Sequence, residues 1–214
     1  MHINLLCSDR FLPKDLLSSR HEDKWAGVDR GALILLEHDI TPFFSVGDFD
    51  SVNEVERKLL QEQLNIKPVK AEKADTDLAL AVEKAVALGF DEITVYGATG
   101  GRLDHFFGAV QLLLKQAYYQ HNIMIELVDC QNKIRLLPTG EHHIQLIKKY
   151  PYISFIPMSD NVLLSLTGFK YNLHRQLLNL GSTLTISNEV EQDNAIINVH
   201  QGLLLQIRST DLNN

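Results

Sequence analysis

The chain has 214 residues, of which 45% are hydrophobic, and a formal net charge of −7 at neutral pH. This hydrophobic content supports a packed core and argues against a disordered chain, and the length suits one large domain or two small ones. The acidic balance and the lack of a basic stripe argue against a nucleic-acid-binding protein; the longest basic cluster is Lys148-Lys149.

The first 128 residues alternate short apolar runs with helical patterns. The predicted strands are His2–Cys7, Trp25–Val28, Thr41–Val46, Ile66–Val69, Glu92–Tyr96 and Ile123–Val128. The predicted helices are Gly31–Glu37, Val52–Leu64, Thr76–Leu88 and Leu103–Tyr119, the third of them stopped by Gly89. Strands separated by helices of this length predict an α/β domain over residues 1–128 with a mostly parallel, doubly wound sheet.

Residues 129–214 have a different texture, in which apolar runs follow one another with turn residues between them. The predicted strands are Lys133–Leu137, His142–Ile147, Tyr152–Pro157, Val162–Leu166, Ser182–Ile186, Ala195–His200 and Leu203–Ile207. Leu173–Leu180 is compatible with a helical turn or a strand. This spacing predicts an all-β, sandwich-like second domain.

The two cysteines and the hydropathy of the chain bear on its location. Cys7 and Cys130 lie far apart and form no CxxC motif, which is typical of reduced thiols in a cytosolic protein. No stretch approaches the roughly 20 apolar residues of a membrane helix. The N-terminal apolar run is short for a signal peptide and lacks a basic flank. We expect a cytoplasmic protein with no membrane segment.

The first chemical signal is the segment GDFDS, at the end of the predicted strand Thr41–Val46. Asp48 and Asp50 are two apart, so an extended chain would aim both carboxylates at one point. In an open α/β sheet that point is the crevice where ligands bind, and Mg²⁺ commonly takes one or two carboxylates there. The alternative is a loop that caps the next helix, with Ser51 as the N-cap.

Two further signals follow. In the segment KADTD, Asp75 or Thr76 fits a helix cap, whereas Asp77 would lie in the first turn and Lys73 could meet a phosphate. In YGATGGRLDH a glycine turn leads from a strand into a helix, an arrangement that suits phosphate. There Arg102 supplies a planar donor, although with Asp104 it could equally form a surface ion pair. All three signals lie at strand ends or helix starts, which favours one shared site.

Taken together, these segments resemble the thiamine pyrophosphokinase family. The resemblance rests on motifs that occur in order along the chain: Gly27–Ala32 (GVDRGA), Gly47–Ser51 (GDFDS), Thr76-Asp77, Gly100–His105 (GGRLDH), Gly168–Leu173 (GFKYNL) and Ser187–Glu189 (SNE). It covers nearly the whole chain. One position departs from the pattern: many relatives carry an acid two residues before the threonine of Thr76-Asp77, where this chain has Ala74.

The resemblance implies a nucleotide- and metal-binding catalytic domain followed by a thiamine-binding and dimerisation domain. It implies Mg²⁺ held by Asp48, Asp50 and Asp77, and Arg102 and Asp104 acting near the phosphates of ATP. Asp29, Lys73 and the turn of Thr99, Gly100 and Gly101 would lie on the nucleotide side. Asp77 would also contact thiamine. Ser187 and Asn188 would contact it from the partner subunit of a homodimer whose sites are shared across subunits.

The implied reaction is attack of the thiamine hydroxyl on the β-phosphorus of ATP, with AMP leaving. Asp77 and Asp104 are both candidates for the general base. Two rival interpretations remain at this level: a related pyrophosphokinase for another alcohol such as a pterin, and a non-catalytic protein that binds thiamine or nucleotide.

Overall fold

The computed structural model describes residues 1–47 and 75–211, which divide into two compact units. The first unit is Met1–Cys130 and the second is Gln131–Asn214. The predicted order, an α/β domain followed by a β-rich domain, is confirmed. The predicted helix Val52–Leu64 and strand Ile66–Val69 lie outside the described residues.

The described strands of the first unit pair in parallel. They are β1 (His2–Leu6), β2 (Trp25–Val28), β3 (Phe44–Val46), β4 (Glu92–Tyr96) and β5 (Met124–Val128), in the spatial order β5-β4-β1-β2-β3. The described helices are α1 (Leu16–Ser19), α2 (Arg30–Glu37), α3 (Asp77–Ala87), α4 (Leu103–Leu113) and α5 (Gln116–Tyr119). Because parallel strands share a direction, the carboxyl ends of all five lie at one edge.

Helix α3 begins and ends where the sequence chemistry predicts. The hydroxyl of Thr76, in an extended conformation, accepts a hydrogen bond from the Ala79 N–H at 3.3 Å, so Thr76 is the N-cap. At the other end Gly89 has φ +87°, the left-handed conformation that glycine tolerates after a helix. The capping role considered for Asp75 or Thr76 therefore belongs to Thr76.

The predicted helix Leu103–Tyr119 is wrong as one element, because the chain leaves the helical conformation at Lys115. Lys115 has φ −65° and ψ 114°, and its ammonium group pairs with Glu83 of α3 at 2.5 Å. Tyr118 is buried just beyond the break. The end of α4, which no glycine or proline marks, thus coincides with a contact to another helix.

The second unit consists of antiparallel strands. One group of strands pairs in the order β6 (Asn132–Leu137), β13 (Leu204–Ser209), β8 (Tyr152–Pro157) and β11 (Asn188–Glu189). The other group pairs in the order β10 (Leu173–Leu178), β9 (Val162–Thr167), β12 (Ala195–Gln201) and β7 (Gly140–Ile144). Leu173–Leu178, left open by the sequence, is thus a strand. The buried core of this unit includes Phe155 and Phe169, whose rings meet edge to face.

The predicted strand Ser182–Ile186 is wrong, since these residues form turns. The segment is held to β8 through Thr185, whose carbonyl accepts from the Phe155 N–H and whose hydroxyl donates to the Phe155 carbonyl. Thr185 is buried, whereas Leu184 and Ile186 are exposed, the reverse of what a hydrophobic alternation predicts. No described helix is long and apolar enough to cross a membrane.

Candidate active site

Segments that follow β1, β2, β3 and β4 meet at the carboxyl edge of the first unit. The Asp29 N–H donates to the Val46 carbonyl at 2.9 Å, which joins the ends of β2 and β3. The Cys7 N–H donates to the Tyr96 carbonyl at 2.9 Å, which joins the ends of β1 and β4. This edge is where ligands bind in open α/β sheets.

Asp29 lies against the start of the GDFDS segment. A Cβ added at Gly47 would come within 2.2 Å of an Asp29 carboxylate oxygen, so only glycine fits beside this side chain. The structure therefore places Asp29 next to the residue that precedes Asp48. The predicted site residues Asp48, Asp50 and Lys73, and also Ala74, lie outside the described residues.

The charge on Asp29 is felt by Cys7. Burial, reinforced by the nearby Asp29 carboxylate, raises the pKa of the Cys7 thiol to about 12. A thiol with so high a pKa stays protonated at neutral pH and reacts slowly, because the thiolate is the nucleophile.

We predict that Cys7 in the folded protein is alkylated by iodoacetamide at pH 8 roughly a hundredfold more slowly than in the unfolded chain. A Cys130→Ser background removes the second thiol. In that background Asp29→Asn should speed alkylation a few-fold, because the neutral amide no longer opposes the thiolate. Equal rates with and without the Asp29→Asn substitution would show that no charge lies beside the thiol. Mass spectrometry follows the reaction.

The glycine turn after β4 packs closely on the loop after β1. The Ser8 hydroxyl donates to the Gly97 carbonyl at 2.7 Å, and a Cβ at Gly97 would lie 2.1 Å from the Ser8 carbonyl oxygen. Gly100 has φ +73° and lies against the ring of Phe11, where a Cβ would clash at 2.1 Å. The two loops therefore form one rigid wall of the site.

Thr99 supports this turn from within. Its hydroxyl donates to a carboxylate oxygen of Asp129 at 2.6 Å, and both residues are buried. The Thr99 hydroxyl is thus engaged inside the protein. Sequence reasoning missed Asp129, because a single aspartate after β5 belongs to no motif.

Arg102 and Asp104 form a two-pronged ion pair at the start of α4. The guanidinium Nε and Nη2 donate to the two carboxylate oxygens of Asp104 at 3.1 and 2.5 Å. These hydrogen bonds lower the pKa of the Asp104 carboxyl. The side chains are 74% and 61% exposed, so the pair adds little to stability and remains accessible to a ligand.

Asp77 lies in the first turn of α3, toward the same edge. Helix α3 leads through Gly89 into the start of β4, so the helix runs back along the sheet against the strand direction. Its 11 residues and the five of β4 both span about 16 Å, which returns Asp77 to the level of the carboxyl end of β4. No cluster of three or more metal-ligating side chains occurs within residues 1–47 and 75–211.

The second unit brings its two predicted motif segments together. The Asn188 Oδ1 accepts from the Tyr171 N–H at 3.0 Å, and its Nδ2 donates to the Tyr171 carbonyl at 2.9 Å. Lys170 pairs with Glu189 at 2.6 Å. Asn188 is 2% exposed, whereas Ser187 and Tyr171 are exposed. Asn188 therefore holds the Tyr171 backbone, and the surfaces open to a ligand are the Tyr171 ring and Ser187.

We predict that Asn188→Ala lowers the free energy of unfolding by about 2 kcal/mol, because it leaves the Tyr171 N–H and carbonyl without these partners. Ser187→Ala, at an exposed neighbour, is the matched control and should change stability by less than about 0.5 kcal/mol. Urea denaturation measures both. Equal midpoints for the two variants would contradict the structural role given to Asn188.

An α/β unit with acids, an arginine and a glycine turn at its carboxyl edge, followed by a β-rich unit, defines a two-domain protein whose first unit has the ligand-binding edge of an open α/β sheet. The family model of the thiamin pyrophosphokinase catalytic domain matches residues 17–127, and that of the thiamin pyrophosphokinase vitamin B1 binding domain matches residues 141–204. The chain belongs to the thiamine pyrophosphokinase family.

Individual relatives cover nearly the whole chain. Thiamine pyrophosphokinase of Bacillus subtilis strain 168 is 45% identical over 189 residues, 87% of each chain. The structure of a probable thiamine pyrophosphokinase from Staphylococcus saprophyticus is 46% identical, has a TM-score of 0.81 and aligns over 99% of this chain and 100% of its own. The structure of thiamin pyrophosphokinase from Geobacillus thermodenitrificans is 40% identical and has a TM-score of 0.88. It aligns over 100% of this chain and 99% of its own.

Proposed function

We propose that this chain transfers the pyrophosphoryl group of ATP to the hydroxyl of thiamine, giving thiamine diphosphate and AMP. The observation that carries the proposal is the exposed Arg102–Asp104 pair on the glycine turn, at the edge where Asp29 and Asp77 also lie. A planar guanidinium beside backbone N–H groups suits a polyphosphate. Family membership specifies the acceptor alcohol as thiamine.

The chemistry requires positioning and neutralisation of charge more than covalent help. Carboxylate oxygens suit a hard cation, so Asp77, with Asp48 and Asp50, would hold Mg²⁺, which neutralises phosphate oxygens when bound. Asp104 fixes the plane of the Arg102 guanidinium through Nε and Nη2. The Nη1 group is then directed to a phosphate oxygen, where it stabilises negative charge as AMP leaves.

The proton of the thiamine hydroxyl needs an acceptor. Asp104 is a poor one while it is paired, because the hydrogen bonds from Arg102 lower its pKa. The carboxylate of Asp77 is engaged by the metal in this proposal, so Asp77 and Asp104 are both candidates for the acceptor. Asp29 and the turn from Thr99 to Gly101 lie on the nucleotide side, and Lys73 would meet a phosphate.

The second unit supplies the thiamine surface. The ring of Tyr171 is 58% exposed, its backbone is held by Asn188, and the Lys170 ammonium lies 5.7 Å from the ring centroid. We assign this ring as the surface on which the rings of thiamine stack. Ser187 adds a hydroxyl beside that face. Asn188, predicted from the sequence as a direct contact, acts in this proposal by holding Tyr171.

We propose the domain division predicted from the sequence, with nucleotide and metal bound by residues 1–128 and thiamine binding and dimerisation by residues 129–214. Large exposed apolar side chains support a subunit interface on the second unit: Leu177, Leu180, Leu184 and Ile186. The active sites of the homodimer are shared across subunits. Burial of both faces of β1 and β2 supports a doubly wound sheet in the first unit: consecutive strand residues face opposite sides, and those of Ile3–Leu6 and Trp25–Val28 are all buried. The cytoplasmic location remains a prediction.

Release of AMP from ATP in the presence of Mg²⁺ and thiamine tests the proposal. We expect one AMP and one thiamine diphosphate per turnover, and no reaction with thiamine monophosphate, whose hydroxyl is blocked. Turnover with a hydroxymethyl pterin in place of thiamine would favour the related pyrophosphokinase. Binding of thiamine and ATP without AMP release would instead favour a non-catalytic binding protein.

A further inference from the structure

The guanidinium group of Arg10 lies against Gly101 of the glycine turn. A Cβ added at Gly101 would be 2.6 Å from Arg10 Nη1 and 3.4 Å from its Cζ. The position of a side chain at residue 101 is thus taken by the guanidinium of a residue that follows β1. Of the two glycines of the GGRLDH motif only Gly100 has a positive φ, so Gly101 is distinguished by this contact with Arg10.

The backbone around Arg10 is held from both sides. The Arg10 N–H donates to the Ser8 hydroxyl at 3.3 Å, and that hydroxyl donates to the Gly97 carbonyl. One residue further on, the Phe11 carbonyl accepts from the Cys130 N–H at 2.7 Å. The backbone at Arg10 is therefore held beside the turn by the same contacts that hold the turn itself.

The charge of Arg10 has no structural use in the described part of the chain. Within residues 1–47 and 75–211 no carboxylate forms an ion pair with its guanidinium, and the residue is exposed. The neighbouring arginine of the glycine turn, Arg102, already donates hydrogen bonds from Nε and Nη2 to Asp104. An exposed arginine whose backbone is held beside a glycine turn, and whose guanidinium forms no ion pair among the described residues, is suited to a phosphate.

We propose that Arg10 binds the phosphate chain of the nucleoside triphosphate, as a second guanidinium beside Arg102. This assignment rests on the proposed function, in that it takes the glycine turn to be the polyphosphate site. Arg10 contacts nonbridging oxygens from the side of Gly101, while Arg102 approaches from the start of α4. The residue is a binding residue, and its contribution is the affinity for the nucleotide.

The test compares Arg10→Gln with Lys14→Gln, which removes the same charge from an exposed position four residues further along the same segment. Calorimetry measures the affinity for a non-hydrolysable ATP analogue in the absence of thiamine. Arg10→Gln should weaken binding about tenfold to a hundredfold, and Lys14→Gln by less than about twofold. Arg10→Lys, which keeps the charge and loses the fork, should fall between them. Affinity for thiamine should be unchanged in all three.

A second variant tests the geometry. Gly101→Ala displaces the guanidinium of an unaltered Arg10, so it should weaken the analogue in the same way, and combining it with Arg10→Gln should add little. Equal weakening by Arg10→Gln and Lys14→Gln, or an Arg10→Gln affinity within about twofold of the parent, would overturn the proposal. Binding of the analogue is measured without the acceptor alcohol. Absence of turnover with thiamine would therefore count against the proposed reaction and would not change the binding result for Arg10.

Discussion

Asp77→Asn should reduce Mg²⁺-dependent turnover by about a hundredfold to a thousandfold while leaving the fold intact. The amide retains an oxygen but loses the charge that the proposed metal site requires. The N-cap of α3 is Thr76, so this substitution leaves the cap in place. Initial rates of AMP release, measured across a Mg²⁺ titration, should show both a lower maximum and a higher half-saturating Mg²⁺ concentration.

Thr76→Ala is the matched control at the adjacent residue. It removes the hydroxyl that accepts from the Ala79 N–H, so it should lower the free energy of unfolding by about 1 kcal/mol while retaining most of the activity. Asp77→Asn should show the opposite pattern, with activity lost and stability nearly kept. If both variants lost activity in proportion to stability, the start of α3 would matter as structure and the role given to the Asp77 carboxylate would be wrong.

Local chemistry predicted those elements whose determinants lie within a few residues. The cap at Thr76 and the stop at Gly89 set α3, and the apolar run Trp25–Val28 is the buried strand β2. The sequence also predicted the family and the α/β-then-β order, because both rest on motifs and alternation that are visible along the chain.

The misses share a different cause, which is contact between distant residues. The apolar pattern of Leu103–Tyr119 is continuous, and the helix ends where Lys115 reaches Glu83. The alternation of Ser182–Ile186 looks like a strand, yet the buried residue is Thr185, which bonds to the Phe155 backbone. Tertiary hydrogen bonds and ion pairs of this kind leave no periodic signal in the sequence.

The candidate site divides in the same way. Arg102 and Asp104 are two residues apart, so their ion pair could be predicted from the sequence. The placement of Arg10 on Gly101 and of Thr99 on Asp129 depends on strands that meet only in the folded sheet. Asn188 was identified from its motif, but only the structure reveals that its side-chain amide is hydrogen-bonded to the Tyr171 backbone.

Mixing two inactive variants should restore activity to about a quarter of the parent level, if the sites are shared across a two-fold dimer. The variants are Asp77→Asn in the first unit and Tyr171→Ala in the second. Tyr171 is chosen over Asn188 because its ring is exposed, so its loss should spare the fold. Each homodimer carries a defect in both sites, whereas a mixed dimer collects both defects in one site and leaves the other intact.

The expected level follows from counting. With free exchange at equal amounts, about half of the dimers are mixed and each of these has one working site of two. The variants are refolded together, and a mass tag on one of them verifies that mixed dimers form. Sites built within one chain would gain nothing from mixing, since every site would keep its own defect. Verified mixed dimers without activity would therefore remove the shared site, while the assignments of Asp77 and Arg102 to metal and phosphate would still rest on the first unit alone.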